Sequence, residues 1–537
     1  AGGAPAAGAA EPRKRMRVRE EEPSGGVAAA EELPAPAEEP KRKGLLAQVL
    51  SSLGINDGAG GSGARPGAAG AGGDGSDNPV TERVHPSLVL LQVDIPPVAL
   101  ADGVHSRTFS GSGVIVHHGP EHGLILTDRN TALVSSADVL VSFAAHPTEC
   151  PASVVYLHPT HNFALIRYDA SELPEAASRA IRAAELLVDP PLRRGDRTHL
   201  IGLSASLRPM GRVSTVTDAN YAVMVPPPDV PRFRAVNEEV VELDMDFGYT
   251  FSGVLTDDAG RVRALWASFA KQVKGEEREF VRGIPSIAFA GAVESVLRGE
   301  PTSLHTLDVE LEPVLLSKAA SFGLSQEWVD RLAATDPVRR QVLRVTGTLK
   351  GSPVSEVLKE GDMLLAVAGG AVTSFHDVEA AVDAHARRGS EAPLPLTLWR
   401  QGAQVDLQTP LAVSNCGGTE RLIHWAGVCV QETHRGVAEL GYLPKNHGVF
   451  ISRWHHGSPA HRYGLYAMYW VDSVNGMETP DLDTFVEVTR TLEHGAYVRV
   501  AVRHVNTRPK VLTLKLDKHY WPTWELRRVG GEWVRTE

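Results

Sequence analysis

The chain has 537 residues, 42% of them apolar, and a formal net charge of −11. That length suits roughly three or four domains, the apolar share is ordinary for a globular protein, and the acidic balance argues against broad nucleic-acid binding, which needs a positive face. There is no run of about 18 uncharged apolar residues, so no membrane-spanning helix is predicted.

Residues 1–80 are dominated by Ala, Gly, Pro and Glu and carry few large apolar side chains. Such a segment cannot bury enough surface to offset its chain entropy and is expected to be a disordered linker. The sequence opens on Ala1 rather than Met, so a fragment or processed product is expected. The basic clusters Arg13-Lys14-Arg15-Met16-Arg17 and Lys41-Arg42-Lys43 have the composition of nuclear-import signals, and equally of solvated charge in a linker. The patch Leu45 to Leu50 has room for a turn or two of helix.

Between 82 and 298 the pattern changes to short apolar runs broken by Gly, Pro and Asp. Ser87–Val93, Gly113–Val116, Val139–Phe143 and Arg263–Ala267 read as strands, and many short strands at close spacing favour a barrel or sandwich. Ala288–Leu297 has helical spacing and is expected to close this region.

Two further units, over 304–413 and 420–530, repeat each other. Gly351-Ser352-Pro353 precedes Gly361-Asp362 and the apolar run Met363–Val367. About a hundred residues on, Gly457-Ser458-Pro459 precedes Tyr463-Gly464-Leu465 and the run Trp470–Val474. Helix candidates follow at Phe375–Val382 and Leu482–Val488, then strands at Leu394–Trp399 and Tyr497–Val502. This is a duplicated small domain. Cys150, Cys416 and Cys429 lie far apart with no ligand spacing, so they read as buried or free thiols of a reducing compartment. His117, His118, His122, His158 and His161 lack Cys or carboxylate partners at ligand spacing and read as surface residues. His455, His456 and His461 fall in an expected loop. No metal and no cofactor is expected.

The repeats resemble PDZ domains of the HtrA type, through the Gly-Ser-Pro turn, the Gly-Asp before a buried strand and the amphipathic helix. That resemblance implies an open sheet edge beside a helix, where an extended peptide adds as a strand, and backbone N–H groups that cap its terminal carboxylate. The matching stretches are Leu307-Asp308-Val309-Glu310-Leu311 and Trp425-Ala426-Gly427-Val428. Asp308 and Glu310 would repel a carboxylate, whereas the second stretch keeps a glycine and is favoured as the peptide site. Gly427→Asp is then expected to weaken peptide binding and leave the fold intact. In the second repeat Ala467-Met468 stands in place of Gly361-Asp362.

The region 82–298 resembles a trypsin-like Deg/HtrA protease domain. Ser110-Gly111-Ser112-Gly113-Val114-Ile115 matches the strand before the catalytic histidine, and Val281-Arg282-Gly283-Ile284-Pro285 the stretch before the closing helix. Over 82–537 the chain is similar to the C-terminal half of the long Do-like proteases of plants and algae, with fungal nuclear relatives. His455 to Tyr466, Pro480 to Phe485 and Tyr520 to Leu526 carry that similarity. The fold expected is mainly β with some α: a degenerate double barrel followed by two PDZ domains.

The resemblance places the three catalytic positions at Asn130, Asn162 and Phe251. An amide has no useful pKa, so Asn130 cannot act as the base. Asn162 in the aspartate position costs about 10⁴ in rate in the well-studied template, and Phe251 has no nucleophilic oxygen. A slip of one residue would bring in Ser252, with His161 as a substitute base. The oxyanion approach is Asp246 to Phe251, bulky where the family is glycine-rich, and Val254 stands where the family has proline. The expected role is a pseudoprotease half that captures protein C-termini or extended polypeptides, or assembles or regulates an active domain outside the chain. An active serine endopeptidase and a pure assembly scaffold are the alternatives. A homo-oligomer is compatible with the sequence, and an intracellular setting, chloroplast or nucleus, is expected from the resemblance.

Overall fold

The computed structural model describes residues 78–537 apart from 205, 246–251, 274–275, 301–302, 389–391 and 506–507. The expected linker up to residue 77 with its basic clusters, the oxyanion approach and Phe251 lie outside the described residues.

Asn78 caps a short helix, α1 (Pro79–Val84), its side chain accepting from the Val80 N–H at 3.0 Å. The first barrel comprises β1 (Leu88–Asp94), β2 (Thr108–His118), β3 (His122–Thr127), β4 (Asp138–Phe143), β5 (Glu149–Leu157) and β6 (Ala164–Asp169). It closes in the order β1-β2-β3-β6-β5-β4. Closure removes sheet edges and lets alternate Val, Ile and Leu side chains point inward. Helix α2 (Glu175–Ala180) leads to the second barrel: β7 (Arg197–Leu203), β8 (Pro209–Val223), β9 (Glu238–Leu243), β10 (Gly253–Thr256), β11 (Val262–Val273) and β12 (Glu276–Pro285), closed as β10-β11-β12-β9-β8-β7.

Helix α3 (Ser286–Leu297) follows, burying Ser286, Phe289, Val293 and Val296 at helical spacing. Phe289 packs edge-on to Phe163, their ring centroids 6.1 Å apart. One apolar cluster runs from Leu126, Phe163 and Leu165 in the first barrel region through Ile201, Val240 and Val254 to α3. The two barrels therefore share one continuous apolar core where they meet.

A two-stranded ribbon, β13 (Ser303–Thr306) with β20 (Ala412–Asn415), brackets the first repeat. Within it β14 (Val309–Leu315), β15 (Gln341–Thr348), β16 (Met363–Val367), β18 (Leu394–Arg400) and β19 (Ala403–Thr409) form a sheet in that order, with β17 (Gly370–Ala371) beside β16. Helices α4 (Leu316–Ser321) and α5 (Gln326–Thr335) lie between β14 and β15 in sequence. Helix α6 (Phe375–Arg387) starts at a capping box of Ser374 and Asp377 and buries Phe375, Val378 and Val382.

The second repeat has β21 (Arg421–Trp425), β22 (Val428–Gln431), β23 (Phe450–Trp454), β24 (Tyr469–Val474), β25 (Met477–Glu478), β26 (Tyr497–His504), β27 (Lys510–Lys515), β28 (Trp524–Val529) and β29 (Glu532–Thr536). Its sheet order is β27-β26-β24-β23-β22-β21-β28-β29, with β25 beside β24. Short helices α7 (Arg435–Ala438) and α8 (Pro459–Arg462) precede α9 (Leu482–Arg490), which Asp481 caps through the Thr484 N–H at 2.8 Å. Leu422 and Cys429, from the outer face of the β21–β22 hairpin, belong to the core of the first barrel. The expected strands and helices match these elements in order and type, and the fold is mainly β as expected. Cys150, Cys416 and Cys429 are free and buried. No helix among the described residues is long and apolar enough to cross a membrane.

Candidate functional site

The turn after β3 carries Asn130, and the turn before β6 carries Asn162. The folding of the first barrel brings both to one acceptor. Asn130 Nδ2 donates to the Ser268 carbonyl oxygen at 2.5 Å, and Asn162 Nδ2 donates to the same oxygen at 2.6 Å. Asn162 Oδ1 accepts the Arg129 backbone N–H at 3.0 Å, and the Asn162 N–H donates to both Glu238 carboxylate oxygens at 3.1 Å. Ser268 lies on β11 and had no signal in the sequence, because a serine in an apolar strand reads as an ordinary outward position.

Ser252, the candidate substitute nucleophile, precedes β10. Its hydroxyl donates to Asp128 Oδ2 at 3.4 Å, not to an imidazole. Asp128 also accepts from the Thr131 N–H at 2.8 Å, the Ser268 N–H at 3.2 Å and the Ser268 hydroxyl at 3.4 Å. Burial raises the Asp128 pKa, and these donors oppose the rise. The carboxylate is a saturated structural acceptor.

His161, the candidate substitute base, faces away from this network. Its Nε2 lies 2.8 Å from Glu379 Oε1 on α6 of the first repeat. Burial opposes its charge, yet Glu379 and Glu238 outweigh burial and raise the imidazole to about 9. His158 stacks on it with centroids 4.4 Å apart. Burial, with His161, Arg129 and Arg435 nearby, holds His158 well below the ordinary imidazole range. Its Nδ1 accepts the His161 N–H at 2.8 Å. Both rings are buried, which corrects the expectation that they are surface residues; the barrel meets the first repeat here. Burial raises Glu238 and Glu239 to about 7, against the opposing pull of His161 and Arg339 respectively. Glu239 pairs with Arg339 at 3.0 Å and accepts the Phe375 N–H at the start of α6 at 3.4 Å. An acidic seam, with His161 and Arg339 as its cations, thus joins the turn before β6 to the helix of the first repeat.

The two expected peptide edges are both in contact with the chain itself. In the second repeat Trp425-Ala426-Gly427-Val428 is a tight hairpin turn, with Ala426 at φ 51° and Gly427 at φ 86°. Strand β21 pairs antiparallel with β22 through Ile423–Val430, His424–Cys429 and Trp425–Val428. Its other edge pairs with β28. Trp425 meets Phe485 of α9 edge-on at 5.5 Å, and Arg421 pairs with Asp483 of α9 at 2.5 Å. The edge expected to be open at Val428 is therefore filled by β21, which lies beside α9 where an added strand would lie. Gly427 cannot take a side chain without cost: a Cβ there would stand 2.0 Å from Ser458 Cβ.

In the first repeat Leu307 and Val309 are buried in the repeat's own core. Asp308 accepts from Arg435 at 2.7 Å, and Glu310 accepts from Arg234 at 2.9 and 2.6 Å. Arg234 also reaches Glu439 at 2.9 Å. These guanidinium groups neutralise the two acids expected to repel a carboxylate. The outer edge of β14 meets Asn237, which precedes β9: Asn237 Nδ2 donates to the Val309 carbonyl at 2.7 Å, and the Leu311 N–H donates to Asn237 Oδ1 at 2.8 Å.

Among the described residues no group of three or more His, Cys, Asp and Glu side chains is arranged to hold a metal. His461 lies on α8 rather than in a loop, and its ring stacks on Trp454 at 5.0 Å.

A PDZ-like domain profile matches residues 418–495. The chain is 49% identical over 464 residues to "Protease Do-like 7" of Arabidopsis thaliana, covering 83% of this chain and 42% of that protein. It is 29% identical over 461 residues to "Pro-apoptotic serine protease NMA111" of Eremothecium gossypii, covering 85% of this chain and 46% of the relative. The chain thus spans less than half the length of these curated relatives. Among solved structures it matches "HtrA-type protease AlgW with decapeptide" at 18% identity and a TM-score of 0.41, over 62% of this chain and 98% of that one.

Asn162→Asp should destabilise the protein by about 2–4 kcal/mol in urea unfolding, because it replaces a buried N–H donor with a carboxylate facing a carbonyl and Glu238; a stability equal to wild type would contradict the network. Gly427→Asp should cost about 2–4 kcal/mol through positive φ and the Ser458 clash, which reverses the sequence-based expectation of an intact fold. An unchanged midpoint would contradict the closed turn. His161 titrates higher in the folded chain than when unfolded, so its stabilisation is fully present below the unfolded value of 6.5 and is lost as pH rises through about 9. The stability gap between wild type and His161→Gln should therefore be large near pH ~6 and small near pH ~10; a gap of equal size at both would remove the Glu379 pair.

Proposed function

Because this chain belongs to the Do-like (Deg/HtrA) family of serine proteases and carries a PDZ-like domain, we propose that it is the family's non-catalytic part: a pseudoprotease double barrel braced by two PDZ-like repeats. It assembles or regulates an active protease domain outside the chain and captures extended polypeptide for it. The observation that carries this reading is the shared Ser268 carbonyl. Where acyl transfer needs a base and its orienting carboxylate, two amides are locked as donors to a backbone oxygen.

Geometry supports the loss of chemistry in two further ways. The hydroxyl of Ser252 points to Asp128, whose carboxylate is already bonded by three other donors. The imidazole of His161 is committed to Glu379 on another unit. Losing nucleophile or base alone costs on the order of 10⁶ in rate in a serine protease. The alternative of an endopeptidase in its own right would need both groups to leave their partners.

A fluorophosphonate probe distinguishes these readings. The purified chain is expected to remain unlabelled under conditions that label trypsin to completion. Labelling of the native chain that disappears in Ser252→Ala would restore the endopeptidase reading.

A further inference from the structure

We propose that the face of the first repeat opposite α6 carries a receiving site for one tyrosine side chain of a partner polypeptide, in the cavity between Phe322 and the row Arg344, Met363 and Trp399. The proposal goes beyond the reading above and uses neither an edge strand nor α6.

Side chains alternate along a strand, so the sheet of the first repeat has two faces. On one, Leu343, Leu364 and Leu398 pack with Val378 and Val382 of α6. On the other, Val342, Met363 and Leu365 pack with Trp328 and Leu332 of α5. Helices α4 and α5 cover this second face only in part and leave Trp399 partly exposed at the border. There the register sets Arg344 of β15 opposite Met363 of β16, and Met363 opposite Trp399 of β18. With Phe322, which follows α4, and the turn Gln401-Gly402, this row lines a cavity of about 240 Å³. Phe322 is 50% exposed, so half of a large apolar ring faces water at the cavity.

Size, lining and charge select the occupant. The volume falls below the roughly 300–1,000 Å³ of a typical small-molecule site and suits a single ring. A ring placed there packs on Phe322 and Trp399 in offset or edge-on contact, meets the Met363 sulfur and presents its face to the Arg344 guanidinium. Glu312, the cross-strand neighbour of Arg344 on β14, already neutralises that guanidinium, so the site does not call for an ionic ligand. One polar group is left without a partner. The Trp399 indole N–H is buried and makes no hydrogen bond, whereas the Trp328 indole N–H donates to Gln404 Oε1 at 2.9 Å. A buried donor of this kind is costly until an acceptor reaches it. A phenol carries an acceptor oxygen on a ring and meets both demands. A single donor cannot orient a free small molecule, so the orientation comes from the chain that carries the ring. Glycines at the cavity leave room for that chain: a Cβ on Gly361 or Gly402 would meet no atom within 4 Å.

The test titrates N-acetyl-L-tyrosinamide into the full chain carrying isotope-labelled tryptophan and follows the indole N–H signals by NMR. One signal, the one missing from Trp399→Phe, should move saturably with a Kd of about 1 mM. N-acetyl-L-phenylalaninamide has the ring without the acceptor and should bind at least about fivefold more weakly. Phe322→Ala removes the half-exposed wall and should weaken the tyrosine probe by about fivefold or more, with the other indole signals in place as the check on folding. Phe322→Tyr keeps a ring there and should bind within about twofold of wild type. No saturable movement of the Trp399 signal, equal affinity for the phenylalanine probe, or insensitivity to Phe322→Ala overturns the proposal. Binding of p-cresol without binding of N-acetyl-L-tyrosinamide also overturns it, because the site would then exclude a ring carried on a main chain. Fluorophosphonate labelling does not read this cavity, so the two readings fail separately.

Discussion

One carbonyl oxygen, that of Ser268, accepts from two asparagine side chains that come from neighbouring turns at one end of the first barrel. Asn162 is buried and Asn130 half-buried. Asn162 also accepts from Arg129 and holds Glu238 through its backbone. Two neutral amides on one acceptor satisfy this region by hydrogen bonds that hold a geometry without requiring a proton to move. His161 is turned toward α6 and serves as a cation between Glu238 and Glu379. The turn before β6 is thereby part of the joint between the first barrel and the first repeat.

That joint extends across the molecule. Arg234 links the second-barrel region to Glu310 of the first repeat and Glu439 of the second, and Arg435 of the second repeat reaches back to Asp308. These are buried or half-buried pairs, so breaking any one leaves a charge unpaired away from water. Leu422 and Cys429 complete the first barrel's core from the second repeat. Each repeat has a slot between an edge strand and a helix, and in each a segment of the same chain stands in or beside it: β21 next to α9, and residues 234–239 next to β14 and α6. The contact in the second repeat is a continuous strand, and that in the first is a hydrogen-bonding side chain with an ion pair.

Much of the fold was legible in the sequence because its signals are local. Short apolar runs marked β1, β4 and β11, amphipathic spacing marked the helices at Phe375–Val382 and Leu482–Val488, and the Gly-Ser-Pro turns exposed the duplication. The candidate site was legible only in part. Asn130 and Asn162 could be placed by motif, but their common acceptor is a backbone atom on β11, and no residue type announces that. The reading of Asp308 and Glu310 as repulsive failed because their arginine partners lie far away in sequence, at 435 and 234. The reading of Gly427 as part of an open loop failed for a related reason. A glycine at positive φ suits a carboxylate-capping loop and a tight hairpin equally well, and only the pairing of Ile423 with Val430 separates them. His158 and His161 look like surface residues until the repeat that buries them is in place.

The account turns on whether anything in the cleft can activate a hydroxyl. The most direct measurement is casein hydrolysis by the purified chain across neutral and alkaline pH, with Ser252→Ala beside it. The account predicts that both preparations turn over no substrate above a heat-inactivated control. Turnover by the native chain that Ser252→Ala abolishes would contradict it.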